Sequence, residues 1–89
     1  MKTKKGYTLR TLGNEYLLIG EGLEADHFGR MVSMNESAAL LWKEVEGKDF
    51  DVATLADILS ENYGISRETA ENDVTALLQS WKEANIIED

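Results

Sequence analysis

The chain has 89 residues, enough for one domain, and its 17 acidic residues against 9 basic ones give a net charge of −8. So acidic a chain repels phosphate backbones, which disfavours general nucleic-acid binding. With no Cys and a single His, a disulfide framework, a thiolate zinc site, a Cys nucleophile and a multi-His metal site are excluded.

The basic start Met1-Lys2-Thr3-Lys4-Lys5 is followed by Gly6-Tyr7-Thr8-Leu9-Arg10, which is no hydrophobic signal core. No apolar run approaches the roughly 18 residues that span a bilayer. A cytoplasmic protein that avoids the membrane is expected. So few reactive side chains predict a binding module that needs no cofactor, not an enzyme.

Charge and hydrophobic period divide the chain. Residues 1–34 hold five bases and four acids, whereas residues 35–89 hold four bases and thirteen acids. The first part reads as strands. Tyr7–Leu12 alternates, with Tyr7, Leu9 and either Thr11 or Leu12 on one face. Gly13-Asn14 is a two-residue turn that tolerates positive φ, and Glu15–Gly20 is the returning strand. A polar loop over Gly20–His27 leads to a third strand, Phe28–Met34. There Phe28, Arg30, Val32 and Met34 share one face, and Gly29, Met31 and Ser33 share the other.

The second part reads as helices. Asn35 caps a helix whose apolar face is Ala38, Leu41, Trp42 and Val45, and Gly47 ends it. Asp51 caps a second, with Val52, Leu55, Ala56, Leu59 and Tyr63 on its stripe and Gly64 as its stop. Ser66 caps a third, from about Arg67 to Ala84, with Glu68 near its positive end. Its stripe is Ala70, Val74, Leu77, Leu78 and Trp81. Asn85 then suits the C′ position, and Ile86-Ile87 fold back on the core.

Strands first and helices after predict one α+β domain over residues 1–89. It has an N-terminal three-stranded antiparallel sheet (about residues 7–34) and three helices (about 35–84), winged-helix-like in its helical part. A domain this small buries only about 60–65% of its unfolded surface, so forming a homodimer would help it, though the sequence does not demand one.

Three kinds of site are weighed. His27 beside Asp26 and Glu24 could serve as a base or a ligand, but it has no evident nucleophile or further ligand, and a solvated loop explains it better. A DNA-recognition helix needs Arg, Lys, Asn or Gln facing the groove, yet residues 67–84 set Arg67 and Lys82 against Glu68, Glu71, Asp73 and Glu83. An edge strand offers unpaired N–H and C=O groups to which another chain can add, and the third strand is the candidate edge.

Met34-Asn35-Glu36-Ser37-Ala38-Ala39-Leu40-Leu41-Trp42 resembles the Leu-Asn-Glu-Thr-Ala-x-x-Ile-Trp signature of PqqD-like proteins, the family of pyrroloquinoline quinone biosynthesis protein D. Leu12–Tyr16 is similar to that family's first hairpin, Val52–Tyr63 to its second helix, and Asp73–Trp81 with Ile86-Ile87 to its last helix and closing apolar pair. Ser37 stands for the common Thr and Met34 for the common Leu, both keeping the chemistry.

The resemblance implies a RiPP recognition element, which binds the leader of a ribosomally made precursor peptide. The leader adds to the third strand, against the third helix, and the precursor is presented to a modifying enzyme, often a radical SAM protein. Carried onto this sequence, the peptide site comprises Arg30, Met31, Val32, Ser33 and Met34 on the strand. On the helix it comprises Asp73, Val74, Leu77, Leu78 and Trp81. Spacing does not separate groove from core among the helix residues. Asn35 and Trp42 read as structural. The alternatives are a winged-helix DNA-binding domain and a structural subunit of an enzyme complex.

Overall fold

A computed structural model describes residues 1–21 and 31–88. Among them the order is β1 (Lys2–Thr3), β2 (Tyr7–Leu12), β3 (Glu15–Gly20), β4 (Met31–Met34), α1 (Glu36–Val45), α2 (Val52–Tyr63), α3 (Arg67–Glu83) and β5 (Ile87–Glu88). The α+β expectation holds: three antiparallel strands, in the order β2-β3-β4, precede three helices.

Each helix starts where a side chain satisfies free first-turn amides. The Ala38 N–H donates to Asn35 Oδ1 at 2.8 Å, the Thr54 N–H to Asp51 Oδ1 at 2.8 Å and the Thr69 N–H to Ser66 Oγ at 3.1 Å. These are the three residues read from the sequence as caps. The Thr54 hydroxyl also donates to Asp51 Oδ1, and these bonds, the backbone one first, hold the Asp51 carboxyl below the usual carboxylate range. At the far end of α2, Gly64 takes φ +64°, and at the end of α3 Asn85 takes φ +61°. The Asn85 N–H donates to Lys82 O at 3.0 Å and the Ile86 N–H to Trp81 O at 3.1 Å. That pair of bonds is a Schellman closure. It turns Ile86 and Ile87 into the core, where they are 0% and 5% exposed.

The β2–β3 hairpin closes at Leu12↔Glu15. Gly13 has φ +62° and Asn14 does not adopt positive φ, the pattern of a type II′ turn. Register resolves the ambiguous face: Tyr7, Leu9 and Thr11 lie opposite Gly20, Leu18 and Tyr16 on the helix-covered side, and Leu12 faces outward. Through β3 that side continues to Val32 and Met34.

The helices pack over this inner face. Leu18, Leu41, Trp42, Val45, Leu55, Val74 and Ile86 are the largest fully buried side chains. Each buried Leu or Ile contributes about 1.5–3 kcal/mol relative to exposure.

Strand structure extends beyond the expected residues 7–34. β1 pairs antiparallel with β5, Thr3 opposite Ile87, and the Lys4 N–H donates to Ile86 O at 2.9 Å. The Phe50 N–H donates to Met1 O at 2.8 Å and the Gly47 N–H to Thr3 Oγ1 at 3.3 Å. Residues 1–4 thus tie the α1–α2 connection to the end of the chain. No helix among the described residues is long and apolar enough to cross a membrane.

Candidate functional site

β4 pairs with β3 alone, so its other side is open among the described residues. Which of its main-chain groups face that side follows from the hairpin. In a two-residue hairpin the closing pair, here Leu12 and Glu15, exchanges hydrogen bonds. The alternation then assigns Leu17 and Ile19 to β2 as well, and the Glu21 N–H to Gly6 O bond at 2.8 Å keeps that phase. Tyr16 and Leu18 therefore bond toward β4, where they face Met34 and Val32. The N–H and C=O groups of Met31 and Ser33 are left pointing out from the sheet.

The side chains of β4 alternate accordingly. Met34 is buried and Val32 half-buried on the inner face, whereas Met31, 66% exposed, and Ser33 face outward. Arg30, the fifth strand residue expected in the site, lies outside the described residues, as does His27.

Just past β4, Asn35 and Ser37 open a groove of about 530 Å3 between the start of α1, the end of α2 and the middle of α3. Its apolar lining is Leu41, Leu59, Ile65, Val74, Ala76 and Leu77, with Tyr63 added, and its polar lining is Asn35, Ser37, Asp73 and Ser80. Three of the five helix residues expected in the site, Asp73, Val74 and Leu77, line this groove. Leu78 and Trp81 do not line it and are 4% and 2% exposed within the core. A helix turns about 100° per residue, so Leu77 and Leu78 of one stripe face different neighbours.

Sequence reasoning placed Leu41, Leu59 and Tyr63 on core-facing stripes and did not single out Ile65, Ala76 or Ser80. The one available signal was Tyr63, a large side chain at a helix end, which is 43% exposed.

The charged groups near the sheet are solvent-exposed. Arg10 makes a two-pronged pair with Glu21, at 3.0 and 2.9 Å, which holds the Glu21 carboxyl below its usual range and the Arg10 guanidinium above its own. Chemically the groove offers shape, apolar surface and a few hydrogen-bonding groups. The Ser37 hydroxyl is engaged in the α1 cap, donating to Asn35 Oδ1 at 3.0 Å. Among the described residues no group of three or more His, Asp or Glu side chains could hold a metal ion.

Two solved structures share this fold. One, described as TbiB1 in complex with the TbiA(beta) leader peptide, has a TM-score of 0.74 at 19% identity, covering 99% of this chain and 95% of its own. The other, lasso peptide synthetase B1 complexed with the leader peptide, has a TM-score of 0.67 at 24% identity, covering 93% and 91%. No curated protein matches. The family model of coenzyme PQQ synthesis protein D matches residues 11–87. Since that match runs from the β2–β3 hairpin through all three helices to β5, the chain belongs to the coenzyme PQQ synthesis protein D family.

Proposed function

We propose that this protein binds the leader of a ribosomally made precursor peptide as a strand added to β4, and presents the precursor to a separate modifying enzyme, of the radical SAM kind or another. The observation that carries this reading is the open side of β4, with the Met31 and Ser33 main-chain groups facing out beside an apolar groove. Main-chain bonds supply affinity, and the groove supplies selectivity. Family membership and the leader peptides named with both structural neighbours support the same reading.

On this reading the protein performs no chemistry on the peptide. It raises the local concentration of precursor at the catalyst. The strand residues Met31–Met34 and the groove residues Asp73 and Leu77 form the peptide site, with buried Val74 as the floor beneath them. Leu78 and Trp81 support it from the core.

The test is affinity capture from the source cells with mass spectrometry, using the wild type and Ser33→Pro. Proline at Ser33 removes an outward N–H and spares the bonds to β3. The wild type retains a short precursor peptide, and Ser33→Pro, with an unchanged circular dichroism spectrum, releases it. Retention of an enzyme by both proteins, with no peptide on either, would overturn the reading in favour of a structural subunit.

A further inference from the structure

The outer face of the sheet departs from what water-facing strands require. An antiparallel sheet with one covered face turns polar residues to the other. Here Leu12, Leu17, Ile19 and Met31 all have the outward phase. Single exposed apolar residues are ordinary. Met31 differs because it lies directly opposite Ile19 and diagonal to Leu17, on the strand whose far side is open. It is also the most exposed large apolar side chain among the described residues.

A strand added to β4 bonds to the Met31 and Ser33 main chain, and directly opposite residues share a face. Its residues opposite Met31 and Ser33 therefore emerge on the outer face. Those opposite Val32 and Met34 turn inward, toward the helices. We infer that the added strand is read on both faces, and that Met31 is the specificity-determining side chain of the outer one, where it takes a large apolar residue. This rests on the strand-addition reading and deepens it.

The partner is thereby defined by pattern. Running antiparallel, from the position opposite Met34 to the position opposite Met31, it reads apolar, unrestricted, apolar, apolar. The unrestricted position faces Ser33, which is exposed. The two consecutive apolar residues at the end are the distinguishing feature, since a strand read on the inner face alone needs only alternation. A thioether on an unbranched stem suits the outer position, because it adapts to apolar partners of different shape.

The experiment selects short random peptides displayed on phage against the immobilised full chain. Amide exchange by NMR then finds binders that slow the Met31 and Ser33 amides, and cross-strand NOEs give the register. Expected binders carry the apolar, any, apolar, apolar pattern. Changing the residue opposite Met31 to Ser weakens binding to the wild type about threefold to fivefold, the effect of losing one favourable cross-strand apolar pair on an exposed face. The same change alters binding to Met31→Ser by less than about twofold, because the apolar contact is already gone. Binders that protect Met31 and Ser33 yet tolerate any residue opposite Met31 would overturn this inference and leave strand addition standing. A selection in which no peptide protects those two amides would overturn strand addition, and the inference with it.

Discussion

Trp42 on α1 meets Trp81 on α3 edge to face, with ring centroids 5.3 Å apart and planes at 82°. The two residues are 0% and 2% exposed. The contact locks the helix that follows the open strand to the helix that walls the groove, so the geometry of the site depends on it. Such pairs add about 0.5–1.5 kcal/mol beyond the apolar area they bury.

Trp81→Ala should destabilise the protein by about 3–5 kcal/mol, the range for emptying a large aromatic site. Trp42→Phe should cost less. The Trp42 indole N–H has no hydrogen-bond partner among the described residues, so its removal strands no acceptor. Urea unfolding of both variants checks the order, and a larger loss for Trp42→Phe would contradict it.

Asn85 holds a left-handed conformation that glycine adopts freely and β-branched residues resist. Asn85→Gly should leave the melting temperature nearly unchanged. Asn85→Val should lower stability by about 1–2 kcal/mol through backbone strain. Thermal melts of the two variants side by side give the comparison.

The cap at Asp51 gives α2 a pH dependence of definite sign. Its carboxyl titrates lower in the folded protein, chiefly because it accepts from the Thr54 backbone N–H. The folded state therefore favours the ionised form. That contribution is fully present above the ordinary Asp pKa and is lost as pH falls through the lowered one. Asp51→Ala should melt lower than wild type at neutral pH, and the gap should narrow on acidification across that window. A gap that widens toward low pH would be the wrong sign.

The phase of β4 is testable without any peptide. The Val32 and Met34 amides bond to β3 and should exchange slowly, whereas those of Met31 and Ser33 should exchange quickly. Proline should distinguish the same positions: Val32→Pro breaks a bond to β3 and lowers the melting temperature clearly more than Ser33→Pro. Hydrogen exchange by NMR and thermal melts read the two effects independently.

Much of this was legible in the chain itself. Asn35, Asp51 and Ser66 cap helices because a short polar side chain there reaches an amide three residues on, a relationship contained within one turn. Asn85 is legible for the same local reason, and so is the Gly13-Asn14 turn. The β1–β5 pair was not. Lys2-Thr3 and Ile87-Glu88 are two-residue strands at opposite ends of the sequence, too short for any period to register. The groove was only half legible. Val74, Leu77, Leu78 and Trp81 form one stripe, yet only half-buried Leu77 lines the groove from outside the core, Val74 borders it from within the core, and Leu78 and Trp81 do not reach it.

The sequence by itself determined the order of the three main-sheet strands and the three helices, their caps and turns, and the apolar side of each helix, because hydrophobic period and first-turn hydrogen bonds act over a few residues. It also determined family membership, through a pattern running from the hairpin to the last strand. Tertiary structure decided that β4 is an edge of the sheet, which of its amides face outward, and which stripe residues border the groove. Those depend on where distant segments stop covering one another. The outward phase of Met31 passes through two strand pairings from a turn at Gly13, a relationship that exists only once the sheet is assembled.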